Sequence, residues 1–278
     1  VDQCTELTND QIEDYKAQAR FLRAYFYWML IKQWGPVPLL PDEGLDINLS
    51  YEELSTPRNT YDECVDYIVA EFEEAAIHLE QERSTAYLGM ATKGAALAAR
   101  AKVLLYAASP LYNGNHDLFE LKDEAGNPLI NQNYDERKWA RAAAAAEEVI
   151  NTGWYELYTV PVSEETVLPP AEVRSREFPY GCGGIDPYES YRQLFNGAIR
   201  DMKDNREFIF YRQFNNAGAT GGEDLIDLVK HSYPHNSGWD GWNTNAVSLK
   251  QVDAYYMFDG RDKDNASEGY PYHEDGFI

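Results

Sequence analysis

The sequence has few cationic side chains, few cysteines and no long apolar run, and each shortage excludes a class of protein. Its 278 residues include 24 Lys and Arg against 47 Asp and Glu, which gives a formal net charge of −23. A surface with that charge repels nucleic-acid backbones and anionic lipid headgroups, so we expect no nucleic-acid partner. No segment reaches the roughly 18 consecutive apolar residues of a transmembrane helix.

The cysteines and the first residues predict neither a disulfide framework nor a leader peptide. Cys4, Cys64 and Cys182 lie far apart, form no CxxC pair, and leave at least one thiol unpaired because their number is odd. The chain begins VDQCTEL, without the charged and apolar regions of a signal peptide. Val-Asp-Gln is not a lipobox, so Cys4 is not expected to be lipidated. Either an export signal has been removed or the chain is an internal fragment.

Motifs for nucleophilic catalysis and for phosphate binding are missing. The sequence contains no GxSxG, and its cysteines lie in no recognisable catalytic context. The segment GATGGEDL is rich in glycine but lacks the Lys-Ser/Thr pair of a phosphate loop. We therefore expect no catalytic residues and no cofactor. The 47 acidic residues supply many carboxylate pairs, so a glycoside hydrolase remains a minor alternative.

Two patterns that resemble metal sites are incomplete. His231 and His235 are four residues apart, but the proline between them favours a solvated loop over a metal-binding pair. DKDNASEG imitates a calcium loop, but Ala266 replaces an oxygen ligand and Ser267 replaces the required glycine. No metal site is predicted, and isolated calcium binding by the acidic stretch 259–275 stays open.

Four segments of the first half have the periodicity of one-sided helices and predict an antiparallel helical array. Thr8 with Gln11, and Thr60 with Glu63, have the spacing of capping boxes. Pro110 ends the third helix because proline has no N–H to donate. The predicted helices cover residues 8–33, 60–82, 90–109 and 136–151.

Each predicted helix carries an apolar stripe that we expect to be buried against the other helices. In the first helix the stripe is Ile12, Tyr15, Ala19, Leu22, Phe26 and Met29. In the second helix it is Tyr61, Val65, Ile68, Phe72, Ala75 and Leu79. The stiff Pro-Val-Pro that follows Trp34-Gly35 ends the first helix, and Trp34 is expected to pack this corner against the array.

The second half is rich in glycine, proline and polar clusters, which predicts long structured loops over the helical scaffold. Trp239 and Trp242 stand three residues apart among Gly, Asn and Asp, and Tyr233 and His235 come just before them. Flat aromatic rings beside polar side chains form a platform for sugar rings. These four residues are therefore the candidate carbohydrate-binding site. The alternative is that both indoles only anchor a loop to the helices.

Five segments, in this order along the chain, resemble the SusD/RagB family of Bacteroidetes outer-membrane nutrient-binding lipoproteins. They are AQARFLRAYFYWMLIKQWGPVPLL, TPRNTYDECVDYIVAEFEEAAIHL, ATKGAALAARAKVLLYAASPLYN, WARAAAAAEEVINTGWYEL and GWDGWNTNAVSLKQVDAYYMFDGR. The resemblance extends from about residue 17 to residue 261. Each motif alone is a weak signal, and their order makes the combination specific.

The resemblance implies a mainly α fold of tetratricopeptide-like helix pairs with a loop-rich, irregular second half. It implies a non-catalytic, cell-surface glycan-binding component of a SusCD-like outer-membrane nutrient uptake system. The implied partners are a glycan ligand and a SusC-like TonB-dependent outer-membrane transporter. The implied location is the outer membrane, through a lipid anchor on an N-terminal cysteine that is not present in this chain.

We predict a helical array in residues 1–155 and a loop-rich ligand-binding region in residues 156–278, packed together as one folding unit. The family normally has a further helix pair before the first motif and continues beyond the Asp-Gly turn, so a partial chain is expected. The alternative function is a helical-array adaptor that binds proteins or peptides.

Overall fold

The computed structural model describes residues 4–167, 171–178, 180–195, 205–211, 247–257 and 261–265. Helices predominate in these ranges, which confirms the predicted mainly α, tetratricopeptide-like fold. The helices are α1 (Asn9–Trp34), α2 (Tyr51–Leu54), α3 (Tyr61–His78), α4 (Lys93–Ala108), α5 (Arg137–Asn151), α6 (Ala171–Arg174), α7 (Pro187–Phe195) and α8 (Leu249–Val252). Two short 3-10 turns cover Thr85–Tyr87 and His116–Leu118, and two short strands are β1 (Val160–Pro161) and β2 (Ile185–Asp186). Among the described residues, none of the helices combines the length and the apolarity needed to cross a membrane.

Local sequence signals place the ends of the long helices. The Thr8 hydroxyl accepts a hydrogen bond from the backbone N–H of Gln11, and the Gln11 side chain accepts one from the backbone of Thr8. Thr60 and Glu63 form the same reciprocal pair at the start of α3. These bonds satisfy backbone donors that have no partner inside the helix, so both predicted capping boxes are confirmed.

The α1 helix buries a different face from the one predicted. Tyr15, Leu22, Phe26 and Met29 are all exposed, and Phe26 is 62% exposed. The buried residues of α1 are Ile12, Ala17, Phe21, Ala24, Trp28 and Ile31. Because α1 carries large apolar side chains on both sides, periodicity alone does not determine which side faces the core.

The prediction that Trp34 packs against the array is wrong. The Trp34 side chain is 66% exposed, whereas Pro36 is fully buried. Gly35 has a φ of 68°, a conformation that favours glycine, and it turns the chain directly after α1. The Val37 carbonyl then accepts hydrogen bonds from the backbone N–H of Asn59 and from the thiol of Cys64. The corner therefore packs against the start of α3 through its proline segment.

The core lies between consecutive helices of the array. The α3 helix packs against both α1 and α4, and α4 also packs against α5. The predicted apolar stripe of α3 is buried along its whole length, and the edge of Phe72 contacts Phe21 with ring centroids 5.3 Å apart. Alanine-rich α4 and α5 approach closely because they contribute small side chains, including Ala96, Ala107 and Ala142.

Two sets of partly buried ion pairs connect segments that are distant in sequence. Glu71 on α3 accepts hydrogen bonds from Arg20 and Arg23 on α1. Arg83, whose side chain is 4% exposed, binds both carboxylate oxygens of Asp14 at 2.7 and 2.8 Å. The Arg83–Asp14 pair is fork-shaped, and it fixes the orientation of α1 against the α3–α4 connection.

The chain divides into two compact units. The first comprises residues 1–156 with 207–212, and the second comprises residues 157–206 with 213–278. In the second unit, β1 and β2 pair antiparallel with Val160 opposite Asp186, and α7 follows β2 directly. Within the first unit, Phe210 packs edge-on against Phe21 with ring centroids 5.2 Å apart. That the array and the loop-rich region form one folding unit stays a prediction.

Candidate functional site

The four residues that the sequence singles out for sugar binding lie outside the described residues. Trp239, Trp242, Tyr233 and His235 all fall in the range 212–246. Their proposed role therefore stays a prediction. Other residues of the second unit enclose a groove that no pattern in the sequence identified.

The groove of the second unit has a volume of about 910 Å³. One side comes from β1 and the loop after it, and the other comes from the start of α7 with the end of β2. The lining residues are Val160, Pro161, Ser163, Glu165, Val167, Cys182, Asp186, Pro187, Tyr188, Glu189, Tyr191, Arg192, Gln193 and Met257. We call this set the α7 groove. Its volume falls in the range of small-molecule binding sites.

Asp186 holds the two sides of the α7 groove together. One of its carboxylate oxygens accepts the backbone N–H of Glu189 at 2.9 Å, and the other accepts the Thr166 hydroxyl at 2.7 Å. The backbone N–H bond at the start of α7 lowers the pKa of Asp186. Ser190 on α7 also contacts both strands. Its hydroxyl accepts a hydrogen bond from the backbone N–H of Val160 on β1 and donates one to the carbonyl of Asp186 on β2. The start of α7 is therefore rigidly fixed to β1 and its loop.

Exposed aromatic rings stand along the α7 groove. Tyr188 is 70% exposed and Tyr191 is 52% exposed, although both lie on α7. The Tyr191 hydroxyl forms a 2.9 Å hydrogen bond with the hydroxyl of Tyr255, and this bond raises the pKa of Tyr191. Phe195 packs against the Tyr191 ring with centroids 5.4 Å apart. Tyr191 is thus held in place at both its edge and its hydroxyl, while Tyr188 presents its ring to solvent.

A connected row of polar side chains runs beside these rings. The Arg192 guanidinium donates two hydrogen bonds to the Glu189 carboxylate, at 2.9 and 2.8 Å. This contact lowers the pKa of Glu189 and raises the pKa of Arg192. The Gln193 amide donates to Glu189 at 3.0 Å, and its oxygen accepts the Tyr158 hydroxyl at 2.9 Å. Each group orients the next, so the donors and acceptors of the row are preorganised.

The side chains that line the α7 groove limit what chemistry they can carry. Among its described lining residues there is no histidine to activate Ser163 or Cys182 as a nucleophile. Within the described ranges, no group of three or more His, Cys, Asp or Glu side chains is arranged to hold a metal ion. The groove offers two exposed tyrosine rings and a row of hydrogen-bonding groups, which is the pattern of a sugar platform.

A second, smaller cavity of about 350 Å³ lies in the helical array between α3, α4 and α5. Lys138 forms an ion pair with Asp62 at 2.5 Å, and Arg141 forms one with Asp66 at 3.0 Å. These cations are therefore neutralised by carboxylates on α3. The cavity has only a small apolar wall, which includes Val65 and Leu104. Its side chains serve to join α5 to α3.

The sequence carries a signal for the α7 groove within the half of the chain whose composition predicts long loops. In the segment DPYESYRQLF, Tyr188, Tyr191 and Phe195 recur at helical spacing directly after a proline that suits the first turn of a helix. The preceding GCGGI is typical of a loop and hid this short helix. The position of the loop after β1 opposite these rings was not encoded in any local pattern.

Comparisons with known proteins confirm the resemblance to the SusD/RagB family. Residues 2–105 match a SusD-like family model described as starch-binding and associating with the outer membrane. This range contains α1, α3 and most of α4. No curated protein matches the chain.

Solved structures show that the fold is SusD-like. The chain matches the structure titled BT4246 with a TM-score of 0.66 and 24% identity, covering 93% of this chain and 44% of that one. It matches a SusD-like protein (BF3747) from Bacteroides fragilis with a TM-score of 0.56 and 22% identity, covering 92% and 38%. It also matches a SusD-like carbohydrate binding protein (BF0978) from the same species, with a TM-score of 0.54 and 17% identity. That match covers 92% of this chain and 36% of the other. The chain spans less than half the length of these structures.

Proposed function

We propose that this SusD-like chain is a non-catalytic glycan-binding component of an outer-membrane nutrient uptake system, and that the α7 groove binds the glycan. One observation carries the proposal: two exposed tyrosine rings stand beside a preorganised row of hydrogen-bonding side chains in an open groove. The match of residues 2–105 to a starch-binding family supports the same class of ligand.

Binding in the α7 groove combines stacking with hydrogen bonds. A sugar ring presents an apolar C–H face, which stacks on Tyr188 or Tyr191, and a rim of hydroxyls, which meets Glu189, Arg192 and Gln193. One stacked ring contributes on the order of 1 kcal/mol by apolar area. Weak binding at one site is therefore expected, and several contacts along an oligosaccharide raise the affinity by multivalency.

The sugar-stacking surface proposed from the sequence remains part of this function. Trp239 and Trp242, helped by Tyr233 and His235, have the residue types for a second stacking platform in the same unit. A second platform would add to the affinity for an oligosaccharide, because each individual contact is weak.

The proposal includes a partner and a location. The partner is a SusC-like TonB-dependent outer-membrane transporter, and a lipid anchor on an N-terminal cysteine holds the protein at the cell surface. The resemblance and the outer-membrane description of the matching family support this part. Affinity purification from the native membrane should recover an outer-membrane barrel, and repeated recovery of none would contradict the partnership.

Variants of the α7 groove test the glycan site. A glycan array first identifies oligosaccharides that bind, and isothermal titration then compares wild type with Tyr188→Ala and Tyr191→Ala. Each variant should weaken binding about 5- to 10-fold, which corresponds to the loss of one stacked ring. The matched control is Tyr180→Ala, because Tyr180 is an 84% exposed tyrosine of the same unit that does not line the groove.

Three outcomes would contradict the proposal. If both groove variants and the control bind the glycan with the same dissociation constant, the α7 groove is not the glycan-binding site. Binding of peptides but of no glycan would favour the protein- or peptide-binding adaptor. Release of reducing sugar ends from a polysaccharide by the pure protein would favour a glycoside hydrolase.

A further inference from the structure

We infer that the α7 groove is selective for uncharged glycans and discriminates against sugars that carry carboxylate groups. This inference rests on the proposed function, since it specifies the class of glycan that the same groove accepts. It follows from the charges of the lining residues, from the partner of the arginine, and from the hydrogen-bonding capacity of the polar row.

Negative charge predominates among the described residues that line the α7 groove. Glu165, Asp186 and Glu189 carry carboxylates, and Arg192 is the cation among them. Asp186 is held in the ionised form by the backbone N–H of Glu189, which lowers its pKa. The whole chain adds a formal net charge of −23. A ligand carboxylate therefore enters a negative potential, which reduces both its local concentration and its affinity.

The arginine offsets only one of the three carboxylates, and its charge is already paired with Glu189. Arg192 directs Nε and one terminal nitrogen at the two oxygens of Glu189, at 2.9 and 2.8 Å. A carboxylate on the sugar would have to compete with Glu189 for those donors or accept a position beside it. Fork-shaped pairing of this kind is the geometry by which arginine binds carboxylates, and here an internal carboxylate occupies it.

The row of Glu189, Arg192 and Gln193 suits the hydroxyl groups of a sugar better than a carboxylate. Glu189 has only acceptor oxygens, so its ligand must donate a hydrogen, and Gln193 offers both an amide donor and an oxygen acceptor. A sugar hydroxyl donates one hydrogen bond and accepts others, so it can meet either type of group. An ionised uronate carboxylate has no hydrogen to donate to Glu189. The row therefore favours hydroxyl rims by hydrogen-bonding capacity as well as by charge.

A pair of matched ligands tests this selectivity. The probes are malto-, cello-, galacto- and manno-oligosaccharides, each neutral or with its C6 hydroxymethyl groups oxidised to carboxylates. Isothermal titration at low ionic strength should give dissociation constants at least about 10-fold lower for the neutral member of each binding pair. The difference in affinity between the neutral and oxidised probes should become smaller as salt is added. Salt at 0.1 M screens interactions between exposed charges that are more than about 10 Å apart.

A single substitution should change the selectivity. Glu189→Gln removes one carboxylate from the groove and releases the Arg192 guanidinium, so the oxidised probes should gain affinity relative to the neutral ones by several-fold. Glu177→Gln is the matched control, because Glu177 is an exposed glutamate of the same unit outside the groove lining. It removes the same charge from the protein and should leave the ratio of the dissociation constants of the oxidised and neutral probes unchanged.

The outcomes separate this inference from the proposed function. If neutral and oxidised probes bind equally, or if Glu189→Gln and Glu177→Gln change the ratio by the same amount, the selectivity of the groove is refuted while glycan binding stands. If no probe or array glycan binds, the proposed function fails and the selectivity fails with it. If neutral probes bind better but Tyr188→Ala and Tyr191→Ala bind as wild type does, the selectivity belongs to another site and the inference is wrong.

Discussion

Phe21 and Phe26, five residues apart on α1, lie on opposite sides of the helix. Phe21 is completely buried and meets Phe72 of α3 edge-on, whereas Phe26 is 62% exposed. The two residues have the same chemistry and stand on the same helix, so they differ in tertiary environment alone. This makes them a matched pair for testing which face of α1 the core uses.

Replacing the two phenylalanines by alanine should have unequal effects on stability. Phe21→Ala leaves a cavity in the core and should lower the free energy of unfolding by about 3–5 kcal/mol. Phe26→Ala should change it by about 0.5 kcal/mol or less, since its ring is largely in water already. Urea unfolding followed by circular dichroism measures both. A larger loss for Phe26→Ala would mean that the predicted stripe, and not the observed one, faces the core.

Removing the buried Arg83 should destabilise the fold far more than removing an exposed arginine. Arg83→Ala leaves the 13% exposed carboxylate of Asp14 without its arginine donor, whereas the carbonyl of Ala91 keeps the hydrogen bond from the Gln18 amide. A loss of about 3–5 kcal/mol is expected, as for other broken buried pairs. Arg141→Ala breaks an exposed pair with Asp66 and should cost about 0–1 kcal/mol. Similar unfolding midpoints for the two variants would contradict the structural role of Arg83.

Gly94 is required for close approach of Tyr155 to the start of α4. A Cβ added at position 94 would overlap the Tyr155 side chain, whereas a Cβ at Gly89 meets nothing within 4 Å. Gly94→Ala should therefore cost about 1–3 kcal/mol by overpacking, despite the better helix propensity of alanine. Gly89→Ala is the control and should be close to neutral. Thermal melts of both variants check this, and an equally stable Gly94→Ala would show that the contact is not tight.

Asp135 should titrate well below an ordinary aspartate. Hydrogen bonds from the Arg137 side chain and backbone N–H lower its pKa to about 2 from the ordinary 3.8. Because the folded-state pKa is the lower one, the contribution to stability is present above about pH 4 and is lost as the pH falls towards 2. Carbon-detected NMR of the side-chain carboxyl measures the shift, and Arg137→Ala should move the pKa back towards 3.8. An Asp135 that titrates near pH 4 in the wild type would contradict the contact.

The α7 groove was not accessible from the sequence, which drew attention to a different segment. Trp239, Trp242, Tyr233 and His235 stand out because they crowd into one short polar segment, and their role in sugar binding stays a prediction. The α7 groove depends on contacts of Tyr158, Val160 and Thr166 with residues of β2 and α7 that lie 20 to 35 residues later in the chain. No local pattern specifies such long-range pairings, since each contact follows from the packing of the whole unit.

The sequence by itself determined where the four long helices lie, because the signals for their ends are local. Capping boxes at Thr8 and Thr60 act within one turn, and a proline or glycine beyond the last turn stops α1, α4 and α5 wherever they pack. The α3 helix has no such stop signal, and it ends at His78, four residues before the predicted end at residue 82. Tertiary structure alone decided which side of α1 is buried, and that Pro36 rather than Trp34 enters the core. The physical reason is that burial depends on the surfaces of other helices, and an element that is apolar on both sides carries no local record of that choice.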